Sequence, residues 1–405
     1  MTKALEGIKI IEVAQWAAAP MGGRLLADLG ADVVHVESPV TGDAYRYFQS
    51  TPDNPLNAGR GVPSFINYNW ENYNINKRGI TLDLASGQGG EILYKLLEQA
   101  DVFISNLRPY ELEKFKLEYE TIKKINPRII FASLTGYGLQ GPDRNSPGYD
   151  VVSYWARGAI PYLMDALGFR PAFGDNVGGM MLAFGIMTAL FVRERTGLGQ
   201  LVDTSLFNLA VFQMSFDIAG ALVEKKEFTE FKPKGREDSM NPLVGMYPTK
   251  DGRAYVLMCL LPDQYWPRVC RALDREDLIQ DPRFNTFEGR AKNRMELYQI
   301  FDERFMSKTL EEWKPIFAEI PSAPIQNLLE VINDPHARAN NYFVPLDHPN
   351  YGPMEVIAPP VRFSETPASV RTAAPEFSQH TEEVLLELGF TWEDIQRFSQ
   401  EKIIA

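Results

Sequence analysis

Over residues 8–135, short apolar runs alternate with longer amphipathic stretches. Residues 8–14 (I-K-I-I-E-V-A) read as a buried strand; Pro20 suits the first turn of the following helix, and Gly30 its end before A-D-V-V-H-V-E. The pattern then repeats, with strands at 79–84, 101–106 and 128–135 and helices near 91–99 and 111–125. Strands alternating with helices call for a parallel sheet covered on both faces. The loop after the first strand, Q-W-A-A-A-P, lacks the G-x-G-x-x-G that brings a dinucleotide pyrophosphate to a helix N-terminus. The sheet is therefore expected to be Rossmann-like without nicotinamide or flavin.

Beyond Asp175 a helix is expected to about Glu194, a strand at L-V-D-T-S, and a second buried helix over 206–223. Residues 224–240 are polar and charged and read as a linker. The domain reading is a large domain over 1–223, that linker, a smaller α+β domain over 241–325, and a return segment over 326–405 that completes the large domain. In the small domain a strand is expected at 254–261, helices around 263–273 and 287–305, and a third opened by the capping pair Thr309 and Glu312. Residues 45–75, rich in Tyr, Asn, Pro and Gly, form a long connection of the kind that is functional or disordered. Its aromatic residues Phe65, Tyr68, Trp70 and Tyr73 serve either as core or as a pocket lining.

Composition narrows the function classes. The 405 residues carry 41 Lys and Arg against 53 Asp and Glu, a net charge of −12, which disfavours nucleic acid and anionic lipid as partners. Two cysteines without a C-x-x-C, and four scattered histidines (His35, His336, His348, His380), argue against a zinc site and for a reducing compartment. Glu6 and Lys9 interrupt the apolar residues of the N-terminus, unlike a secretory signal. The longest uncharged run, Asn176–Val192, is shorter than the ~20 residues of a membrane span and reads as a closely packed buried helix. A cytoplasmic protein with no membrane partner is expected.

Three segments hold candidate chemistry. In P-A-F-G-D-N-V-G-G-M (171–180), Asp175 precedes a glycine-rich apolar helix. It serves there either as a helix cap or as a carboxylate kept ionised by the helix dipole and able to act as a nucleophile. In L-T-G-Y-G-L-Q-G-P (134–142), a glycine-rich loop leaves the C-terminal end of a parallel strand, where ligands of open α/β sheets bind. N-K-R-G (76–79) and N-L-R-P (106–109) place Lys77, Arg78 and Arg108 in basic loops, either solvated or facing phosphates.

Taken in order, L-E-G-I-K-I-I-E-V, G-A-D-V-V-H-V-E, N-K-R-G-I-T-L-D-L, T-G-Y-G, F-G-D-N-V-G-G-M, R-T-G-L-G-Q, F-N-T-F-E-G-R and H-T-E-E-V-L-L-E-L-G make the chain resemble the class III CoA-transferases, including the members that handle arylalkyl acids such as phenyllactate and benzylsuccinate. The resemblance implies an interlocked dimer of Rossmann-like protomers, either a homodimer or a pair with a related subunit. It places the nucleophile on Asp175. It implies coenzyme A thioesters as substrates, with no permanently bound cofactor and no metal. CoA contacts carried over by position fall on Ala17, Ala18, Leu82, Asp83, Asn106, Leu107, Arg108, Tyr149 and Asp150. Where other members have Arg, this chain has Ser38 and Lys114, which loses one contact and the planar guanidinium of another.

The expected reaction moves CoA from an acyl-CoA donor, such as succinyl-CoA, to a free acid of the arylalkyl or benzylsuccinate type. It runs through an aspartyl anhydride and an aspartyl-CoA thioester. The Gly178 and Gly179 N–H groups are candidate oxyanion donors. Two other readings share the fold: an α-methylacyl-CoA racemase, disfavoured because Tyr149 stands where its His base would be, and a non-catalytic CoA-binding subunit of a heteromeric transferase.

Overall fold

Six strands, β1 (Lys9–Val13), β2 (Asp32–Glu37), β3 (Arg78–Thr81), β4 (Val102–Ser105), β5 (Ile130–Thr135) and β6 (Leu201–Ser205), make the central sheet in the order β3-β2-β1-β4-β5-β6. Every neighbouring pair is parallel. This is the doubly wound order, whose direction reverses between β1 and β4 and opens a crevice there. The structure is a computed structural model that describes residues 2–48, 64, 66–164, 169–226 and 235–405.

Strands β1 to β5 are buried over almost their whole length because both faces are covered there, whereas β6 at the sheet edge is partly exposed. Consecutive residues go to opposite faces. Ile10, Val33, Ile104 and Leu134 join one core cluster, while Ile11, Val34, Phe103 and Phe131 join the other. The helices of this unit are α1 (Ala18–Asp28), α2 (Tyr68–Asn74), α3 (Gly87–Glu98), α4 (Pro109–Phe115), α5 (Tyr119–Ile125), α6 (Ile160–Met164), α7 (Phe173–Thr196), α8 (Leu206–Gln213) and α9 (Ser215–Glu224).

The single helix expected over 111–125 is two helices, α4 and α5, broken where Lys116 turns left-handed at φ 56°. α8 and α9 likewise replace one buried helix. They meet at a bend of 74°, and α9 buries none of its residues.

α7 is long and apolar enough to cross a membrane by length and composition. Gly178, Gly179, Leu182, Ile186 and Leu190 are buried, whereas Met180, Met181, Phe184 and Phe191 are exposed. The expected closely packed helix is therefore buried on one side. That side meets α1 so tightly that a Cβ on Gly179 would lie 2.5 Å from Met21 Cβ and 2.8 Å from the Gly22 nitrogen.

The chain divides into two compact units, one of residues 1–226 and 340–405, the other of 227–339. In the second, β7 (Val244–Pro248), β8 (Ala254–Met258) and β9 (Ser322–Pro324) form an antiparallel sheet. With it belong α10 (Pro262–Ala272), α11 (Phe287–Lys292), α12 (Arg294–Phe305), α13 (Leu310–Ile316), α14 (Leu328–Asn333) and α15 (Pro335–Ala339). Its core is aromatic: Tyr247, Phe301, Phe305, Trp313 and Phe317 are all fully buried. A return to the first unit is expected at 326. It falls at 340, because Arg253 pairs with Glu330 and donates to the Ile325 carbonyl, which binds α14 to β8. The return adds the hairpin β10 (Phe343–His348) and β11 (Gly352–Ile357), then α16 (Thr381–Glu387) and α17 (Trp392–Gln400), to the first unit. Val384, Leu385, Ile395 and Phe398 complete the core on one face of the six-stranded sheet.

Candidate active site

The loops leaving β1, β4 and β5 frame a cavity of about 300 Å³ at the sheet's crevice, lined by Gln15, Trp16, Ala17, Ala18, Asn106, Thr135, Gly136, Tyr149, Asp150 and Asp175 among others. A second cavity, of about 260 Å³, lies beyond the ends of β1 to β4 and is lined by Val36, Glu37, Ser38, Leu82, Asp83, Leu84 and Leu107 among others. Gln15 borders both. Asn106 fixes it: its side-chain oxygen accepts from the Gln15 N–H at 3.1 Å and its Nδ2 donates to the Gln15 carbonyl at 2.7 Å. A larger concavity of about 820 Å³ along β10, β11 and 358–370 holds Arg362 as its one charged residue and no carboxylate.

Asp175 sits in the first turn of α7, whose start is unusual. The N-cap residue Ala172 has a left-handed backbone at φ 72° and caps nothing with its side chain. Asp150 supplies the cap from a distance, its Oδ1 accepting from the Gly174 N–H at 2.9 Å. Gly174 is required here, since a Cβ would lie 2.4 Å from that same oxygen. Burial pushes Asp150 up to about 6, although the Gly174 and Ala172 N–H groups draw it part of the way back. Burial first, then the Asp150 charge, pushes Asp175 up to about 7, and no hydrogen bond from the described residues draws it back. The carboxylate expected at the helix start therefore stands well above the ordinary aspartate range. An apolar cavity and a like charge outweigh the dipole, which is worth about 0.3–1 kcal/mol.

The cavity's far wall is aromatic. Trp16, left-handed at φ 68°, packs against Tyr45, Phe48 and Tyr149 at ring-centroid distances of 5.8, 5.5 and 5.5 Å. Non-glycine residues in that conformation cost on the order of 1–3 kcal/mol and are held by their surroundings. Trp16 and Ala172 flank the same space. Of the aromatic residues expected to line a pocket, Trp70 and Tyr73 are core beside the cavity, Tyr68 lies outside its lining, and Phe65 lies outside the described residues. The Tyr73 hydroxyl donates to Asn176 Oδ1 at 2.9 Å, tying α2 to the first turn of α7.

The structure gathers Ala17, Ala18, Asn106, Tyr149, Asp150 and Asp175 around one cavity and Leu82, Asp83 and Leu107 around the other. It places the remaining candidates elsewhere. Lys77 is 2% exposed, with its Nζ committed to Glu12 at 2.6 Å, the Pro20 carbonyl and Asn74. Such an ammonium cannot reach a phosphate. Arg78 lies at the opposite, N-terminal end of β3, paired with Asp32, Glu383 and Glu387. Arg108 spends its guanidinium on Glu111 and Tyr110, and Lys114 is exposed over the Phe115 ring. Gly178 and Gly179 are corrected as oxyanion donors: they lie beyond the first turn, where N–H groups are spent inside the helix, and they serve close packing. Asp150 is buried and its side chain acts as the cap of α7.

The chain matches the model of CoA-transferase family III over residues 5–381. It is 35% identical over 415 residues to cinnamoyl-CoA:phenyllactate CoA-transferase of Clostridium sporogenes, covering 100% of this chain and 98% of the relative. It is 33% identical over 407 residues to (R)-2-hydroxy-4-methylpentanoate CoA-transferase of Clostridioides difficile, covering 99% of each. The crystal structure of a CAIB/BAIF family protein from Brucella suis superposes with a TM-score of 0.79 at 29% identity, covering 96% of this chain and 100% of that one. With a family match over residues 5–381 and a cavity that holds a carboxylate at the crevice of a doubly wound sheet, this chain belongs to CoA-transferase family III and is an enzyme of that family.

Proposed function

We propose that the enzyme transfers CoA from succinyl-CoA to an arylalkyl acid, with Asp175 as the covalent nucleophile. The observation that carries this reading is a carboxylate that takes no hydrogen bond from the described residues and faces a cavity walled by Trp16, Tyr45, Phe48 and Tyr149. The names of two relatives, which act on phenyllactate and on (R)-2-hydroxy-4-methylpentanoate, support a large apolar acid. Succinyl-CoA as donor draws on the name of a third, the β subunit of a succinyl-CoA–L-malate CoA-transferase of Chloroflexus aurantiacus, 32% identical.

Asp175 attacks the thioester carbonyl, forming a mixed anhydride and releasing CoA thiolate. The thiolate attacks the aspartyl carbonyl, which releases the donor acid and leaves an aspartyl-CoA thioester. The acceptor carboxylate attacks that thioester and expels the thiolate, which takes the acceptor acyl group and frees Asp175. Each step trades one activated acyl bond for another, so positioning and oxyanion stabilisation are what the protein supplies. The nucleotide end of CoA occupies the cavity lined by Ser38, Leu82, Asp83 and Leu107, and the arm bearing sulfur passes Gln15 toward Asp175. The exposed apolar residues Phe184 and Phe191 on α7, with Phe212 on α8 and Phe216 and Leu222 on α9, supply the surface for an interlocked homodimer.

Incubation with acyl-CoA followed by hydroxylamine or borohydride trapping and peptide mapping tests the reading. Modification of Asp175 is expected; an unmodified Asp175 with donors of several classes overturns it.

A further inference from the structure

Beside the aromatic wall, four titratable side chains that the reaction does not use lie within the first unit. Glu12 on β1, His35 on β2, Asp43 in the loop after β2 and Lys77 before β3 are each 2% exposed or less. Glu12 Oε1 holds Lys77 Nζ at 2.6 Å and His35 Nδ1 at 2.7 Å. The other ring nitrogen of His35 faces Asp43 Oδ2 at 3.6 Å, and neither of those two atoms has a hydrogen-bond partner among the described residues. The second oxygen of Asp43 accepts from the Trp16 N–H at 3.1 Å and the Tyr45 N–H at 2.8 Å. Around this line, Glu37 takes the Asp43 N–H at 2.8 Å and pairs with Arg46, and the Trp70 ring packs edge-on against His35 at 5.6 Å.

We infer that Glu12, His35 and Asp43 form a positioning line that sets which acid the cavity admits, by fixing Trp16 and Tyr45. Trp16 holds a left-handed backbone that tryptophan rarely adopts, and Asp43 is the side chain that accepts its N–H. The same carboxylate oxygen fixes the start of the turn that carries Tyr45, whose ring packs on Trp16. Asp43 is fully buried, and His35 is the group that its other oxygen faces. A buried carboxylate that loses its facing group is costly and shifts. Trp16 and Tyr45 then lose a common anchor, and the wall that selects a bulky side chain loosens. His35 is locked in turn by Glu12, which Lys77 and the Pro20 carbonyl hold to the first turn of α1.

The inference rests on the reading that this cavity receives the acid, and the test separates the two. Asp43→Ala, Asp43→Asn and His35→Gln are compared with wild type using 3-phenylpropanoate and propanoate as acceptors, with Asp175 adduct formation from acyl-CoA followed in parallel. Asp43→Ala and His35→Gln are expected to form the adduct while the KM for 3-phenylpropanoate rises tenfold or more, the donor KM changes less than threefold, and the preference over propanoate falls at least tenfold. Asp43→Asn keeps an oxygen for both N–H groups and is expected to stay within threefold of wild type. Adduct formation with an unchanged preference in Asp43→Ala and His35→Gln, whatever their melting temperatures, overturns the inference alone. Absence of the adduct in wild type overturns the reading beneath it.

Discussion

Asp150 caps the helix that carries Asp175, and its charge is also what raises Asp175 beyond the effect of burial. One carboxylate thus fixes the start of the helix that carries the proposed nucleophile and makes that group more basic. A more basic carboxylate is a stronger nucleophile once ionised, and its protonated form is inert, so the pair fixes a working pH range.

The first prediction concerns that range. Asp175 is pushed up to about 7, and only its ionised form attacks a thioester. Ionisation grows as pH rises through that value, so adduct formation from acyl-CoA is expected to fall about tenfold per pH unit below pH 6 and to level off above pH 8. Rapid-quench intact-mass measurements from pH 5 to 9 check this. A flat profile across that span contradicts the protonation assigned to Asp175.

Asp150→Asn separates the two roles of Asp150. The amide oxygen still accepts the Gly174 N–H while the like charge is gone, so the acid limb of the rate profile is expected to move to lower pH. Asp150→Ala loses the cap as well, at about 0.5–2 kcal/mol of stability, and is expected to lose most turnover at every pH. An Asn variant whose limb does not move removes Asp150 as the source of the shift.

Stability follows from the same sign. Both carboxylates stand above the ordinary aspartate value, so between about pH 4 and 7 the folded chain binds protons that the unfolded chain has released. Their contribution to stability therefore declines as pH rises through that window. Asp175→Asn removes one share of the decline. It is expected to abolish turnover yet melt higher than wild type at pH 8, by on the order of 1 kcal/mol after allowing for the open side of the cavity, with a smaller gap at pH 5. Calorimetry at both pH values reads this directly.

The sheet and its first helix were legible because β4 and β5 are short, mostly apolar runs and Gly30 follows the end of α1. Asp175 was legible because its motif is local. The aromatic wall was not: Trp16, Tyr45, Phe48 and Tyr149 meet only because three separate loops converge on a left-handed turn. Lys77 misled for the opposite reason. In a basic N-K-R-G loop it resembles a phosphate ligand, and only the fold shows Glu12 beneath it. The break at Lys116 and the exposure of α9 likewise depend on backbone turns and on surfaces that hydrophobicity alone does not record.

Gly179→Ala tests the close approach of α1 and α7. Its Cβ would press into Met21 and the Gly22 backbone at 2.5 and 2.8 Å, and backbone cannot move aside as a flexible side chain does. A loss of about 1–3 kcal/mol in unfolding free energy is expected, with adduct formation slowed because Ala17, Ala18 and Asp175 border one cavity from the two helices. Gly90→Ala, where a Cβ inside α3 meets nothing within 4 Å, is the control and is expected to leave adduct formation unchanged and to raise stability by about 0.5–1 kcal/mol.

Asn106 gives the last prediction. Its amide makes two reciprocal bonds to the backbone of Gln15, the residue that borders both cavities. Asn106→Ala removes both, a loss of about 1–2 kcal/mol that corresponds to roughly 5–30-fold. Because Gln15 stands between the cavities and Asp175 is untouched, that loss is expected mainly in the KM for acyl-CoA, with adduct formation at saturating donor within threefold of wild type. Asn106→Asp is the sharper variant. It keeps an acceptor for the Gln15 N–H but sets a second carboxylate oxygen against the Gln15 carbonyl, where the native Nδ2 donates. It is expected to be at least as impaired as the alanine variant despite its matching shape. Steady-state kinetics on the two variants decide the matter: an aspartate variant close to wild type would mean that the clamp on Gln15 does not govern CoA binding.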